Sequence, residues 1–300
     1  MSPWKRVDFV FAVWYNCSDM KVDKAACADT DKGADEMGLK AKIRKKAHQL
    51  KKHQFLFEEL VKRDFKQKYK RTVLGMGWSL LSPILHFLVM KIVFTGFFGR
   101  EMPHYSTYLF AGNVMYSFFR ESTTGGMNSL MSNKHIFTKI NVPKYIFLLT
   151  KNVSSIINFG LTLIVFFVFA AFDGITFTWK FFLILYPCVC LVFFNIGVGL
   201  ILSALYVFFR DIQYLYDIFT MLLMYMSAIY YSVDSYAAYI RPVFLCNPVY
   251  CVIKYVREIV INGIIPSWEL HVLILLYALL MLGIGALIYK KKNHSFLYYV

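Results

Sequence analysis

The chain lacks the sequence signatures of the common nucleotide-binding and hydrolytic sites. No stretch reads Gly-x-x-x-x-Gly-Lys-Ser/Thr, so the chain cannot hold a nucleoside triphosphate on a phosphate loop. No serine lies in a Gly-x-Ser-x-Gly elbow, and no histidine pairs with a carboxylate at catalytic spacing. We therefore predict that the chain is not an enzyme, has no catalytic residues and binds no cofactor of its own.

Acidic residues are scarce. The chain has 18 Asp and Glu against 33 Lys and Arg, which gives a formal net charge of +15. A basic balance of this size fits nucleic-acid binding. Here, however, the basic residues flank long apolar segments, and the positive-inside rule of membrane proteins explains them more simply. We expect no nucleic-acid partner.

Cysteines are few and form no paired framework. The wide gap between Cys17 and Cys27 does not fit the close ligand pairs of zinc sites, so we predict no metal site. Cys246 and Cys251 flank an Asn-Pro turn and could form a local disulfide, although two small buried thiols are the favoured interpretation. The apolar stretch FVFAVWY (9–15) is too short for a span and has no cleavage site behind it, so we expect insertion through internal spans.

Apolar residues, by contrast, are abundant and come in long runs. The composition is 58% hydrophobic and 18% aromatic, well above an ordinary soluble domain. This indicates an all-α polytopic membrane protein. Runs of spanning length predict six transmembrane helices in a domain covering 78–290, at about 78–98, 105–133, 153–172, 181–209, 214–231 and 269–289.

Two segments outside the spans have characters of their own. Residues 1–38 read as a mobile cytoplasmic tail. Residues 39–77 are strongly basic, yet Phe57, Val61, Phe65 and Tyr69 recur at i+4, which predicts an amphipathic interface helix rather than a merely solvated face.

The stretch 233–267 holds two short apolar pieces broken by Arg-Pro, Asn-Pro and Gly, which predicts re-entrant helices before the last span. The basic segments 39–71, 134–151 and 290–292 all fall on one side when both termini are cytoplasmic, including a C-terminal tail at 291–300.

Ionisable residues inside predicted spans are the main functional candidates, since each costs about 2.5–3.5 kcal/mol to insert. Lys91 lies in the first span and could snorkel or face a polar path for an anionic cargo. Arg120 and Glu121 lie in the second, where they could neutralise each other, pair with another helix (for example at Asp217) or contact cargo. A group of tyrosines could form an interfacial belt or stack on sugar rings: Tyr225, Tyr230 and Tyr231.

Several stretches together resemble one family over about residues 55–290. LVKRDFKQKYKRTVLGMGWSLLSPIL (60–85), NKHIFTKINVPKYIFLL (133–149), FFRDIQYLYDIF (208–219) and Asn247-Pro248 followed by Arg257 look like segments of polysaccharide and polyol phosphate export permeases. These are the membrane subunits of ABC transporters for O-antigen, capsule and teichoic acid. Val142 stands where many members have Phe before the proline.

The resemblance implies partners and roles. It implies a homodimer with two separate ABC ATPase subunits that bind ATP and Mg, an undecaprenyl-linked glycan as cargo, and a bacterial cytoplasmic membrane as the location. The alternative is a type-2 ABC permease that exports a drug or lipid. Coupling to the ATPase would fall to Lys62, Arg63, Phe65, Tyr69, Asn141, Val142, Pro143, Lys144 and Tyr145. The outer re-entrant segment would contain Asn247, Pro248 and Arg257, and the translocation pathway Lys91, Arg120, Glu121, Tyr225, Tyr230 and Tyr231.

Overall fold

A computed structural model of the chain describes residues 54–68, 70, 72–98, 104–139, 142–233, 237 and 239–292. The tail 1–38, the segment 39–53, and Tyr69 and Asn141 among the coupling residues therefore lie outside the described part. Within it the regular structure is helical: α1 (54–68), α2 (Trp78–Phe98), α3 (Tyr105–Ser132), α4 (Lys134–Phe137), α5 (Tyr145–Phe172), α6 (Leu185–Phe208), α7 (Ile212–Met226), α8 (Arg241–Leu245), α9 (Pro248–Val260) and α10 (Trp268–Lys292).

The predicted all-helical class is confirmed. Among the described residues, three helical stretches combine the length and apolar composition that a membrane crossing needs: Tyr145–Phe172, Trp179–Phe208 and Trp268–Lys292. The helix α2 begins and ends where the first span was predicted, and α3 runs unbroken through Arg120 and Glu121. The count of six spans and the re-entrant membrane placement of α8 and α9 stay predictions.

Two segments are helical over only part of their length. The fifth was expected to run to residue 231, but α7 ends at Met226 and the chain then turns, with Ala228 at a φ of +49°. The basic segment 134–147 resembles a cytoplasmic coupling helix of the export permeases. Among its described residues it is helical over Lys134–Phe137 and again from Tyr145, where α5 begins; Pro143 lies between the two helices, has no amide hydrogen to donate and disfavours helix at the residue before it.

The described residues form one large apolar cluster, a smaller one, and a third that consists of Ala228, Val233 and Tyr250. The large cluster joins residues of α3, α5, α6, α9 and α10, and nearly every position of α9 is buried. The smaller one, which we call the α1 cluster, contains Leu60, Leu130, Val142, Ile146, Phe147, Leu148, Leu200, Ala204, Val207 and Tyr289. In the described part, α6 and α10 form the most extensive contact between two helices.

Candidate functional site

The amphipathic helix α1 packs on the protein's own core. Leu60 and Val61 are buried, while Leu56 and Phe57 are half-buried against the α1 cluster. Phe55, on the other side of the helix, is 69% exposed. The i+4 spacing thus identified a real apolar face, and that face contacts the ends of α3, α5 and α6.

Charged contacts fix α1 in place. The Asp64 side chain is only 4% exposed, and its Oδ2 lies 3.0 Å from Lys151 Nζ on α5. Arg63 Nη2 donates to Asp64 Oδ1 at 2.7 Å and to Asn133 Oδ1, at the end of α3, at 2.6 Å. Because these bonds reach two different helices, α1 is tied to both of them as one unit.

We expect Asp64→Asn to loosen α1. The substitution keeps the shape of the side chain but removes the negative charge that pairs with Lys151 and accepts hydrogen bonds from Arg63; a hydrogen bond to a charged group contributes about 1.5–3 kcal/mol, part of which is lost with the charge. Limited trypsin digestion should then cut within 54–68 several-fold faster than in the unaltered protein. Glu59→Gln is the matched control, since Glu59 pairs with Lys62 at 2.9 Å on the exposed side of α1 and should change little. Equal cleavage rates of the two variants would show that Asp64 does not hold α1 against the rest of the protein.

Two other predicted coupling residues, Val142 and Tyr145, belong to the same cluster as Leu60 of α1. Val142 is buried beside Leu60, and Tyr145 packs against the cluster. Lys144 is 8% exposed, and burial lowers the pKa of its amine. Lys62 faces water, where its hydrogen bond and charge pairing with Glu59 raise the pKa of its amine. The structure therefore joins the two basic segments, which lie some distance apart in the sequence, into one body.

One face of α3 lines an open groove of about 780 Å³, which we call the α3 groove. The α3 residues that border it recur every three or four positions, as residues on one side of a helix do. They are Phe110, Asn113, Tyr116, Ser117, Arg120, Glu121 and Thr124. The remaining lining comes from neighbouring segments: Lys68, Thr72, Trp78, Ser79, Ser82, Pro83, His86, Asn158, Thr162, Met224 and Tyr230.

Glu121 connects the groove to α1. Its Oε1 accepts a hydrogen bond from Lys68 Nζ at 2.7 Å and another from Asn158 Nδ2 at 2.8 Å. Glu121 lies about 17 Å before the end of α3, at about 1.5 Å per residue, so Lys68 brings the end of α1 well up the groove wall. The ion-pair partner of Glu121 is thus Lys68. Among the described residues, Arg120 forms an ion pair with neither Glu121 nor Asp217.

The groove brings together half of the predicted pathway residues. Arg120, Glu121 and Tyr230 border it. Lys91 and Tyr225 are exposed and do not line it, and Tyr231 instead donates to the carbonyl of Tyr225 at 2.8 Å. Sequence reasoning missed Lys68, His86 and Asn158 as lining residues. Their positions on α1, α2 and α5 carry no local signal that they meet.

The predicted outer segment is a tightly bonded unit. Asn247 caps α9, with its Oδ1 accepting from the amides of Val249 and Tyr250 and its Nδ2 donating to Ser227 at 3.0 Å. Pro248 is the first residue of the helix, a position that suits proline. Cys246 and Cys251 are both free thiols, and Cys251 Sγ lies 3.2 Å from the carbonyl of Leu245.

Arg257 is the most constrained charge in the described part. It is 7% exposed, and its guanidinium donates to the carbonyls of Tyr108, Ala228 and Ile229 at 2.9 to 3.3 Å. The guanidinium carbon also lies 3.4 Å from the centre of the Tyr108 ring. The carbonyls of Ala228 and Ile229 are ones that the turn after α7 leaves without helical partners, which explains why the helix can end at Met226.

Comparisons with known proteins agree with one another. Residues 56–261 match the family described as "ABC-2 type transporter". A Klebsiella pneumoniae protein named O-antigen export system permease protein RfbA is 26% identical over 249 residues, which is 81% of this chain and 95% of that protein. A Myxococcus xanthus protein of the same name is 30% identical over 56% of this chain and 64% of its own length. The Escherichia coli polysialic acid transport protein KpsM is 23% identical over 80% of this chain and 94% of its own.

Proposed function

The chain belongs to the ABC-2 type transporter family, and from this premise we propose that it is the permease subunit of an ATP-driven exporter of lipid-linked cell-envelope polysaccharide. The cargo class comes from the relatives, whose names specify export of O-antigen or transport of polysialic acid. An ABC permease relies on a separate ATPase subunit, and the absence of a phosphate loop from the sequence agrees with that division of labour.

The observation that carries the proposal is the α3 groove. Sugars present hydroxyls on their edges and apolar C–H faces, and the groove offers partners for both. Trp78, Tyr116 and Tyr230 provide aromatic faces, while Asn113 and Ser117 provide hydrogen-bonding groups. Such a surface suits a polymer that slides, because many modest contacts hold it without fixing one register.

We further propose the arrangement that the fold requires for export. Six spans with both termini in the cytoplasm would cross the bacterial cytoplasmic membrane, and two copies of the chain would assemble with two ATPase subunits that hold ATP and Mg. The α1 helix and residues 142–145 would contact the ATPase, because they form one body with the inner ends of α3, α5 and α6. Movement of the ATPase would then reach the groove through Lys68.

The coupling assignment predicts a specific loss. Pro143→Ala with Lys144→Ala, or Phe65→Ala with Tyr69→Ala, should lower export by about tenfold, as follows from losing about 1.4 kcal/mol of coupling, while ATP hydrolysis continues. Surface polymer on whole cells and phosphate release by the purified complex measure the two quantities. Export that stays unchanged in both variants, with normal amounts of protein in the membrane, would remove the assignment.

The function itself is tested by deletion and by co-purification. Deleting the chain should leave the glycan inside the cell and remove it from the surface, and the tagged chain should purify with an ATPase subunit. Normal surface glycan in the deletion strain, together with a new sensitivity to drugs, would favour the alternative exporter of a drug or lipid.

A further inference from the structure

Among the described residues that line the α3 groove, Arg120 is a cation without a counter-charge. Its lining includes Lys68, Arg120 and Glu121, and Glu121 is the one acid among the lining residues. That acid is already occupied, since a single oxygen accepts from both Lys68 at 2.7 Å and Asn158 at 2.8 Å. Within the described residues the guanidinium of Arg120 has neither an ion pair nor a side-chain hydrogen bond. Arg120 is therefore the uncompensated charge of the groove.

An uncompensated arginine beside aromatic rings has a definite binding preference. A guanidinium presents donors in a planar fork that matches the oxygens of a phosphate or a carboxylate. Tyr116 lies one turn before Arg120 on the same face of α3, and Trp78 and Tyr230 border the same space.

The carboxylate of Glu121 determines whether an anion can bind at Arg120. Glu121 follows Arg120 directly on α3 and borders the same groove, so a free Glu121 would repel an anion bound at Arg120. Lys68 neutralises Glu121, and Lys68 belongs to α1, the helix tied to Asn133 and Lys151 by Arg63 and Asp64. Displacing α1 would uncover the negative charge beside the site.

We propose that Arg120 binds an oxyanion of the cargo, and that Lys68 of α1 controls this binding by keeping Glu121 neutralised. The proposal rests on the proposed export function for the identity of the ligand as cargo. The oxyanion could come from the diphosphate of the lipid carrier or from an acidic sugar of the polymer. Anion affinity is high while α1 is docked and falls when α1 moves, which gives the groove a release step driven from the ATPase side.

The test measures ligand binding to the full chain in lipid nanodiscs, without ATPase. The probes are farnesyl diphosphate for the carrier head group, a tetramer of sialic acid for an acidic polymer, and farnesol as the uncharged reference. Trp78 borders the groove and reports binding through its fluorescence, and Trp78→Phe identifies its share of the signal. We expect at least one anionic probe to bind about tenfold or more tightly than farnesol, the effect of one charge-assisted hydrogen bond.

The variants give the proposal its distinctive pattern. Arg120→Gln should lose the preference for the anionic probe, and Arg120→Lys should retain part of it. Lys68→Met should weaken anion binding by about tenfold, whereas Lys68→Met combined with Glu121→Gln should restore it, because the repelling charge is then gone. Lys66→Met is the matched control, an exposed lysine on α1 that does not line the groove, and should change nothing.

Four results would contradict the proposed anion site at Arg120. Equal affinity for farnesol and both anions, an unchanged anion affinity in Arg120→Gln, or a double variant as weak as Lys68→Met would each overturn the site. A response that persists fully in Trp78→Phe would place the probe elsewhere and overturn it too. Failure of this site is distinguishable from failure of the proposed function, because export is measured separately in cells with the unaltered chain and does not enter the binding assay.

Discussion

Replacing Gly285 by alanine should separate α6 from α10 and cost the protein most of its stability. A Cβ atom at position 285 would overlap the backbone carbonyl of Gly197, and a Cβ at 197 would overlap the backbone at Met281 and Leu282. An extra methylene that side chains can accommodate costs about 1–3 kcal/mol. Here the obstructing atoms are backbone, so the helices themselves must move and we expect a loss beyond that range.

The measurement is thermal unfolding of the purified chain in detergent, followed by size-exclusion recovery. Gly285→Ala and Gly197→Ala should both lower the midpoint strongly and reduce the monodisperse fraction. Gly283→Ala, two residues earlier on α10, is the matched control. A Cβ there meets no atom within 4 Å, and the alanine should favour the helix by about 0.5–1 kcal/mol. Similar midpoints for Gly283→Ala and Gly285→Ala would show that the close approach is unimportant.

This close approach belongs to the part of the fold that the sequence does not reveal. Long apolar runs predicted most helix positions well, because each span must satisfy its own backbone hydrogen bonds locally. The bounds of α2 and the unbroken course of α3 follow from that local requirement. Which glycine of α10 meets α6 depends on how two separate helices rotate against each other, and an apolar run carries no such information.

The end of α7 is a second feature that the sequence does not predict. Apolar and aromatic residues continue to Tyr231, so composition alone extends the helix that far. The chain turns at Ser227 instead, because donors from α3 and α9 satisfy the carbonyls that the turn exposes. Tyr105 donates to Tyr230, and Arg257 donates to Ala228 and Ile229. These donors are distant in sequence from the turn.

Sequence reasoning could select candidate site residues where the chemistry of a single residue is unusual. A charge within a predicted span is costly, which singled out Arg120 and Glu121; both border the groove, and their role in transport stays a prediction. The partner of Glu121 was not predictable, since Lys68 precedes it by 53 residues and lies in a run of similar lysines. Lys91 met the same cost criterion yet lies on an exposed surface of α2 away from the groove, and its role in transport stays a prediction.

Replacing Arg257 by methionine should release the turn after α7 from α3 and α9. The substitution keeps much of the apolar volume but removes four hydrogen bonds to the carbonyls of Tyr108, Ala228 and Ile229. Buried carbonyls that lose their donor retain their desolvation cost, which is about 1–3 kcal/mol for each group left unsatisfied. Arg257→Lys should fall between, because one ammonium group cannot reproduce the planar fork.

Thermal unfolding gives the global effect of Arg257→Met, and maleimide labelling of Cys251 gives the local one. Cys251 is fully buried on the same helix, so its thiol should label slowly in the unaltered chain and at least several-fold faster once α9 loosens. Lys254→Met is the matched control on α9, where the lysine lies 3.8 Å from Glu258 and is 42% exposed, and should change stability by no more than about 0.5 kcal/mol. Cys251 could instead label no faster in Arg257→Met than in Lys254→Met. That result would show that the turn at residues 228 and 229 does not depend on the Arg257 guanidinium. The tyrosine hydroxyls of α3 would then be the groups that stabilise the break in the fifth predicted span.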